Sequence, residues 1–343
     1  EKYLIYVFLV YFYSSCGLME ETINNSVDAP KVTLVEPRGF CAGVVRIVDT
    51  VELIVKQFPN RKIFLNHEAV HNKHITQKFL DMGVGIEPDV DKVPEGAVYI
   101  LSAHGSKPEF VKKAKSKNIT VIDATCPLVT KVHLEVNRFA NEGYAIFYIG
   151  HKGHPEAEAA MSIRPDCMVL VDNLKEAESV SLPAGIKADK LIYLTQTTLF
   201  IDDCERIADV LRKRYPALQS PPMQDICYAT TNRQYAVRKM SDNVDLVLVV
   251  GSKNSSNSNR LVETARVKGI DAYLIDDVSE LKDEWLVGKK RIGISAGASA
   301  PEHLVQGVVA ALEKRSEGKL TVETLTVIKE NVKFTLPKEV RSI

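Results

Sequence analysis

From residue 32 onward, short β-branched runs alternate with segments of helical periodicity. The run Val32–Val35 predicts a strand, and the apolar spacing over Gly43–Gln57 predicts the helix that follows it. Such alternation is typical of α/β architecture with parallel strands. Further strands are predicted at 62–65, 98–102, 120–123, 145–149, 168–171, 190–195, 246–250, 272–275 and 291–295. Further helices are predicted near 107–115, 128–141, 201–215, 232–240, 258–268 and 300–314.

The domain organisation is predicted from the rhythm of these elements, because no low-complexity linker divides the chain. A chain of 343 residues suits about two or three α/β units. We expect an N-terminal extension over 1–31, disordered or non-native, followed by α/β domains over 32–118, 119–222 and 223–338. The last of these includes the C-terminal tail.

The N-terminus carries an uninterrupted apolar and aromatic run over residues 3–13. It is shorter than the roughly 20 residues that a helix needs to span a bilayer. Its only basic flank is Lys2, offset by Glu1, which is weak for a signal peptide. Residues 1–18, ahead of Met19, are interpreted as upstream sequence wrongly included in the chain. A membrane or export signal and an ordinary packed extension are the alternatives.

Charge and cysteine content restrict the function classes. Lys plus Arg and Asp plus Glu both number 44, so the chain has no basic excess to match a phosphate backbone. This balance argues against nucleic acid as the main partner. Six cysteines are too sparse for a disulfide scaffold in a chain of this length, and in a reducing compartment such cysteines more often bind metal or catalyse.

Three cysteines lie just ahead of predicted helices. Cys41 and Cys126 directly follow strands, and Cys227 precedes a helical segment. They are separated by 85 and 101 residues, each about one small α/β unit. Because ligands in α/β proteins bind at the loops that leave the carboxyl ends of strands, three units that face inward would bring three thiolates to one point.

The alternative for these cysteines is a packing role, since isolated cysteines are often buried as small hydrophobes. No Cys-x-x-Cys pair exists, so the common zinc and ferredoxin patterns are absent. Cys167 opens a predicted strand and Cys204 lies in a predicted helix, and both are expected to be packing residues. Cys16 belongs to the N-terminal segment and receives no role.

Histidines also gather at predicted strand ends. His71, His104 and His154 each follow a strand, and Glu156 stands two residues after the last of them. Their shared position predicts one site that contains all three. The other histidines are expected to be structural, namely His67, His74, His133, His151 and His303.

One rival motif overlaps this region. His67-Glu68-x-x-His71 matches the zinc-protease pattern His-Glu-x-x-His, which requires a helix around the motif. The preceding residues Ile63–Leu65 predict a strand that runs into a loop instead. The zinc-protease interpretation is therefore rejected.

Small polar side chains follow two strands near the end of the chain. Ser255, Ser256 and Asn257 lie between the strand 246–250 and a helix, and Ser299 lies beside another helix start. Hydroxyls and free backbone N–H groups at a helix N-terminus bind anions, above all phosphate. The alternative is simple N-capping, which a single serine would satisfy. The run of adjacent polar side chains favours a phosphate site.

Long strings along the chain resemble the 4-hydroxy-3-methylbut-2-enyl diphosphate reductase family. The resemblance covers about residues 32–338, in order, and leaves out mainly the N-terminal stretch. The strings are Pro37–Gly43, Asp123–His133, Gly150–Glu156, Thr195–Thr198, Ile226–Gln234, Gly251–Arg260 and Ala296–Pro301.

The resemblance implies three similar α/β domains in a trefoil-like arrangement around a central iron–sulfur cluster. It implies one 4Fe-4S cluster with three protein ligands, Cys41, Cys126 and Cys227, and one open iron site for the substrate's hydroxyl. The implied reaction is reductive dehydroxylation of the allylic diphosphate to isopentenyl and dimethylallyl diphosphate, the last step of the methylerythritol phosphate route to isoprenoids.

The resemblance also implies roles for the polar residues. Thr197 would lie beside the substrate's hydroxyl, and Glu156 would supply protons; these two form the implied catalytic pair. The implied diphosphate-binding set comprises His71, His104, His154, Ser255, Ser256, Asn257 and Ser299. The diphosphate's charge is expected to favour protonated imidazoles.

Two other functions and several properties complete the expectations. A 4Fe-4S hydro-lyase of the aconitase kind would use an open iron without external electrons, and a non-catalytic iron–sulfur redox sensor would not need the anion loop. Ferredoxin or flavodoxin is the expected electron donor. A bacterial cytoplasm is the expected location, with no membrane partner.

Overall fold

The computed structural model describes residues 30–183, 186 and 189–341. The N-terminal segment 1–18 and Cys16 lie outside the described residues. The strands are β1 (Lys31–Glu36), β2 (Ile63–Leu65), β3 (Val84–Ile86), β4 (Val98–Leu101), β5 (Thr120–Asp123), β6 (Ala145–Ile149), β7 (Met168–Val171), β8 (Leu191–Thr195), β9 (Leu218–Gln219), β10 (Leu246–Val250), β11 (Asp271–Ile275), β12 (Arg291–Ala296) and β13 (Thr321–Thr326). The helices are α1 (Ala42–Gln57), α2 (Lys73–Asp81), α3 (Pro108–Ser116), α4 (Pro127–Asn141), α5 (Pro155–Met161), α6 (Leu174–Ser179), α7 (Ile201–Arg214), α8 (Tyr228–Met240), α9 (Ser256–Val267), α10 (Glu302–Arg315) and α11 (Lys338–Arg341).

The described strands form three parallel sheets. The first sheet has the order β3-β2-β4-β5, the second β7-β6-β8-β9, and the third β11-β10-β12-β1-β13. Each pairing within them is parallel. The predicted α/β class with parallel strands is therefore confirmed.

An interior strand of each sheet is buried on both faces, as is usual where helices cover a parallel sheet. In β4, Val98 and Ile100 pack into one hydrophobic cluster, whereas Tyr99 and Leu101 pack into another. Strands β6 and β10 divide their side chains between two clusters in the same way. Because successive strand residues point to opposite faces, continuous apolar runs are required here, and these are the runs that predicted the strands.

Every strand predicted from the sequence is present, with ends within one residue of the prediction. The predicted helices are also present, although α8 begins four residues before the predicted start at 232. Four described elements of six or more residues are not predicted from the sequence, the helices α2, α5 and α6 and the strand β13. Strand β13 is mostly exposed at the edge of the third sheet and has few apolar residues, so its sequence lacks a strong strand signal.

Sheet membership differs from chain order at two places. Strand β1 pairs with β12 and β13 in the third sheet, although the predicted boundaries group it with the first unit. Strand β5 closes the first sheet, although those boundaries group it with the second unit. Near the C-terminus, Val340 returns to the core of the first unit beside α1. The division of the chain into domains over 32–118, 119–222 and 223–338 stays a prediction.

Among the described residues, no helix combines the length and the apolar character needed to cross a bilayer.

Candidate functional site

A central cavity of about 110 Å³ lies between the three sheets. It is lined by every residue for which the sequence suggested a catalytic, substrate-binding or metal-binding role. These are Cys41, His71, His104, Cys126, His154, Glu156, Thr197, Cys227, Ser255, Ser256, Asn257 and Ser299. The structure thus brings together residues that are up to about 260 positions apart in the chain. Their roles stay predictions.

Each of the three cysteines stands at the N-terminus of a long helix. Cys41 is the N-cap residue of α1, Cys126 that of α4, and Cys227 that of α8. None of these side chains makes a capping hydrogen bond, so the sulfur atoms are free to face the cavity. The positive ends of three helix dipoles therefore converge on the sulfur atoms and favour negative charge there.

The space between two of these sulfurs is kept open by a glycine. A Cβ atom at Gly43 would lie 2.8 Å from the Sγ of Cys126 and 3.8 Å from that of Cys41. Burial, and secondarily the nearby Cys41 sulfur, raises the pKa of Cys126 to about 12 and that of Cys227 to about 11. Ionising these thiols is costly unless a metal centre takes the thiolates as ligands, which deprotonates them outright.

The donor set suits a cluster and not a single ion. Within the described ranges 30–183, 186 and 189–341, no group of three or more His, Cys, Asp or Glu side chains converges on one ion position. In an iron–sulfur cubane each thiolate binds a different iron, so the ligands surround the cluster instead of meeting at a point. Three inward-facing thiols around an open space fit that requirement.

Three histidines that line the cavity form a compact group. The ring centroids of His71 and His104 are 4.3 Å apart, and His154 lies 5.1 Å from the first and 5.7 Å from the second. The ring of His67 joins them at 5.9 Å from His71. His67 had been predicted to be structural, and its position in the same group was not expected from its sequence context.

Two of these imidazoles, those of His104 and His154, are held neutral by their burial. Burial, and after it the neighbouring imidazoles, holds the pKa of His104 well below its usual value and lowers that of His154 to about 3. The Nδ1 of His154 accepts a hydrogen bond from the backbone N–H of Glu156 at 3.2 Å, so the proton of this imidazole is on Nε2. The Nε2 of His71 is buried without a hydrogen-bond partner among the described residues, while its Nδ1 lies 3.6 Å from Oε2 of Glu68.

The serines bind loops from different sheets to one another. Ser255 caps α9 by accepting a backbone hydrogen bond at 3.3 Å, as the capping alternative required. Ser256 donates to the carbonyl of Thr198 at 2.9 Å, and Ser299 donates to the carbonyl of His71 at 3.0 Å. Neither of these two contacts is a cap, so capping accounts for only one hydroxyl of the cluster.

Asn257 differs from its serine neighbours because its side chain is unsatisfied. Its Oδ1 and Nδ2 are both buried and have no hydrogen-bond partner among the described residues. Buried polar atoms are normally paired, because leaving one unpaired costs about 1–3 kcal/mol. The unpaired amide and the unpaired Nε2 of His71, which belong to residues of the same cavity, therefore indicate a polar ligand there.

The buried carboxyl of Glu156 is held by a single threonine. The backbone N–H of Thr197 donates to Oε1 at 2.7 Å, and its hydroxyl donates to Oε2 at 3.0 Å. Burial raises the pKa of Glu156 to about 7 despite these two hydrogen bonds, which favour the charged form. Glu156 therefore exchanges a proton near neutral pH, as a general acid requires.

The remaining histidines and cysteines have other environments. His74 and His151 each lie within 2.9 Å of an aspartate oxygen, His133 is partly buried, and His303 is exposed. Cys204 is buried in the core of the second unit and Cys167 packs at its edge. The segment from His67 to His71 is a loop, which is the conformation that the rejection of the zinc-protease motif assumed.

Two threonines of the cavity had not been singled out from the sequence. Thr198 accepts the hydrogen bond of Ser256, and the hydroxyl of Thr230 lies 3.2 Å from the Sγ of Cys227. Both lie in strings that carry the family resemblance, Thr198 directly after Thr197 and Thr230 three residues after Cys227. Adjacency to a proposed ligand was the signal that could have identified them.

Comparisons with known proteins agree with this geometry. The family model described as "LytB protein" matches residues 32–313. A protein of Anaplasma marginale (strain St. Maries), "4-hydroxy-3-methylbut-2-enyl diphosphate reductase", is 47% identical over 309 residues, which cover 90% of this chain and 89% of that protein.

Two solved structures are also similar. That of the "E-1-hydroxy-2-methyl-but-2-enyl-4-diphosphate reductase from Plasmodium falciparum" has a TM-score of 0.87 and 37% identity, covering 91% of this chain and 97% of that one. That of "(E)-4-Hydroxy-3-methyl-but-2-enyl Diphosphate Reductase, the Terminal Enzyme of the Non-Mevalonate Pathway" has a TM-score of 0.60 and 29% identity, covering 83% of this chain and 99% of that one.

Proposed function

The chain belongs to the LytB protein family, and on that premise we propose that it reductively removes the allylic hydroxyl of (E)-4-hydroxy-3-methylbut-2-enyl diphosphate. It is an oxidoreductase of the non-mevalonate isoprenoid pathway. The products are isopentenyl and dimethylallyl diphosphate. The observation that carries the proposal is the single cavity in which three inward-facing thiols, a buried acid and an unsatisfied polar group meet.

The electron-transfer end of the site is assigned to Cys41, Cys126 and Cys227. They would hold one 4Fe-4S cluster that, when bound, supplies electrons one at a time and an open, Lewis-acidic iron for the substrate's hydroxyl. The Cα of Gly43 leaves room beside two of the sulfurs. The convergent helix termini reduce the cost of the negative charge that three thiolates bring.

The diphosphate end is assigned to the histidines, Ser255, Ser256, Ser299 and Asn257. The unpaired amide of Asn257 and the unpaired Nε2 of His71 provide hydrogen bonds that the protein itself does not use. Binding the diphosphate here fixes the allylic end near the thiols, so binding energy far from the reacting carbon orients it.

Proton transfer to the leaving oxygen is assigned to Glu156 and Thr197. Because the pKa of Glu156 is raised to about 7 by burial, the carboxyl is substantially protonated at neutral pH. Thr197 holds both carboxyl oxygens, and its hydroxyl can pass a proton between Glu156 and the substrate's oxygen. A hydroxyl leaves more easily as water than as hydroxide, so this pair promotes the departure of the oxygen.

Binding of the diphosphate is expected to take up protons. The neutral His104 and His154 face an incoming anion whose charge raises their pKa values, so the complex holds more protons than the free components. Affinity should then rise by about tenfold per unit decrease in pH for each proton bound. Calorimetry with inorganic diphosphate in buffers of different ionisation enthalpy measures this uptake directly.

Two variants assign the proton. If proton uptake on diphosphate binding persists in Glu156→Gln and falls in His104→Asn, the protons are taken up by the histidines. His303→Asn, at an exposed position, serves as the matched control. Binding without proton exchange at any pH would contradict the expectation.

Turnover under anaerobic conditions tests the function as a whole. The protein, loaded with iron and sulfide, should convert the allylic diphosphate only when a reductant is supplied. Conversion without reductant would favour the hydro-lyase. A loaded protein with no affinity for diphosphate would favour the redox sensor.

The wider assignments follow from the same family membership. We expect three α/β units in a trefoil-like arrangement around the cluster, over about 32–118, 119–222 and 223–338. Ferredoxin or flavodoxin serves as the electron donor, and the enzyme works in a bacterial cytoplasm.

A further inference from the structure

Each helix that begins at one of the three cysteines carries a basic residue at nearly the same distance from it. Arg46 follows Cys41 by five positions, Lys131 follows Cys126 by five, and the third lies six positions after Cys227. That third residue, Arg233, is nearly inaccessible, with 1% of its side chain exposed.

Arg46 connects the Cys41 helix to the Cys126 loop. Its guanidinium donates to the carbonyl of Thr125 at 2.9 Å and to that of Asp123 at 3.3 Å. Thr125 directly precedes Cys126, so α1 fixes the position of the next cysteine.

Lys131 connects the Cys126 helix to the Cys227 loop. Its ammonium group lies 2.9 Å from Oδ1 of Asp225, a fully buried side chain two residues before Cys227. The other oxygen of Asp225 accepts from the backbone N–H of Thr195 at 3.0 Å. The same ammonium group donates at 3.3 Å to two backbone carbonyls that precede Asp225.

Arg233 connects the Cys227 helix back to the Cys41 loop. Two of its nitrogens donate to the carbonyl of Gly39, at 2.8 and 3.2 Å, two residues before Cys41. A third nitrogen pairs with the carboxylate of Glu330 at 3.1 Å. The three connections therefore run from Cys41 to Cys126, from Cys126 to Cys227, and from Cys227 to Cys41, and form a closed cycle.

From this cycle we propose that Arg46, Lys131 and Arg233, here called the basic ring, are positioning residues that set the mutual separation of the three cysteine sulfurs. The proposal rests on the proposed cluster site. Each cysteine belongs to a loop between a sheet and a helix, and loops by themselves hold position poorly. A cationic donor from the helix of another of the three cysteines supplies a charge-assisted hydrogen bond to each loop.

If the basic ring has this role, replacing any one of its members should weaken the binding of the whole cluster. Residues that hold metal ligands in position through hydrogen bonds typically contribute about 10–100-fold to metal affinity or activity. We expect Arg46→Met, Lys131→Met and Arg233→Met to lose cluster iron in air about tenfold faster than the unmodified chain. The electron paramagnetic resonance spectrum of the reduced cluster should change in all three.

The experiment uses the full chain, loaded anaerobically with iron and sulfide. Iron and sulfide per chain, the resonance spectrum and the bleaching rate in air are measured for each variant. Matched controls lie on the same three helices: Lys56→Met, Arg138→Met and Arg238→Met, all at more exposed positions, should behave as the unmodified chain.

Folding is monitored by the melting temperature of the apoprotein. Lys131→Met is the lead variant, because 27% of that side chain is exposed, against 1% for Arg233. If Arg233→Met does not fold, Arg233→Lys keeps the charge but loses the paired contact with Gly39, and it should bleach at an intermediate rate. A lower apoprotein melting temperature with an unchanged resonance spectrum and bleaching rate would show a merely structural role and overturn the proposal.

Two negative outcomes are distinguishable. Variants that match their controls in iron content, spectrum and bleaching rate overturn the basic ring alone. An unmodified chain that takes up no iron and sulfide overturns the proposed function, and the basic ring with it.

Discussion

Serine in place of Cys41, Cys126 or Cys227 should leave the protein with a degraded cluster or none. Three thiolates are the only protein ligands proposed, and a serine hydroxyl is a poor substitute for a thiolate at iron. The burial that raises the pKa of the Cys126 thiol also makes this pocket unfavourable for any uncompensated charge. Iron and sulfide analysis and the visible absorbance of the anaerobically loaded variants measure the loss.

The remaining described cysteines provide the controls. Cys204 is buried in the second core and Cys167 is partly buried beside β7, and neither lines the cavity. Cys204→Ala and Cys167→Ser should keep the iron content of the unmodified chain, even if the first lowers the melting temperature. Loss of the cluster from either control would show that the ligands have been assigned wrongly.

The sequence predicts the strands well where both of their faces are buried. Strand β10 is a continuous apolar run because both faces of its sheet are covered, and such a run is easily recognised. Strand β13 was not predicted, because at the exposed edge of the third sheet it needs few apolar residues. The pairing of β1 with β12 could not be predicted from the sequence either, because about 260 residues separate the two strands in the chain.

The candidate site was predicted more completely than the interactions that support it. Residues next to strand ends, such as His71 and His104, carry a local signal because loops at the carboxyl ends of parallel strands form ligand sites. Arg233 carries no such signal. It looks like any basic residue on a helix, and its acceptor at Gly39 is 194 positions away. Long-range hydrogen bonds of this kind leave no periodic pattern in a sequence.

His67 shows a further limit of the sequence argument. Its spacing from His71 matches a zinc-protease motif that the loop conformation rules out. With that motif rejected, the sequence leaves only a structural role for His67. The fold brings its ring within 5.8 Å of His104, at the edge of the proposed diphosphate site. Proximity in the folded chain, which the spacing could not reveal, makes it a candidate member of the site.

Glu156→Gln should lower turnover by about 10²-fold or more while the variant still binds its substrate. Glutamine keeps the size of the side chain and can still accept from the backbone N–H of Thr197, but it has no transferable proton. Thr197 can rotate its hydroxyl to accept from the new amide, so the local geometry is retained. Single-turnover kinetics and diphosphate affinity, measured on the same preparation, separate chemistry from binding.

The pH dependence of stability gives an independent measure of the same proton. The pKa of Glu156 is about 7 in the folded chain against an ordinary value of 4.5, so between these values the folded state holds a proton that the unfolded state has released. The free energy of unfolding contributed by Glu156 therefore falls as pH rises through this window, by about 3 kcal/mol in all. The difference between the unmodified chain and Glu156→Gln in denaturant unfolding should trace this change.

Glu158→Gln is the matched control, because Glu158 lies on the same helix α5 with 54% of its side chain exposed. It should keep both the turnover and the pH profile of the unmodified chain. A near-normal rate in Glu156→Gln would mean that the proton reaches the substrate by another route. A low rate with an unchanged pH dependence of stability would mean that Glu156 is ionised in the folded state at neutral pH. In that case the carboxylate would act by positioning Thr197, and Thr197→Val should then reproduce the loss.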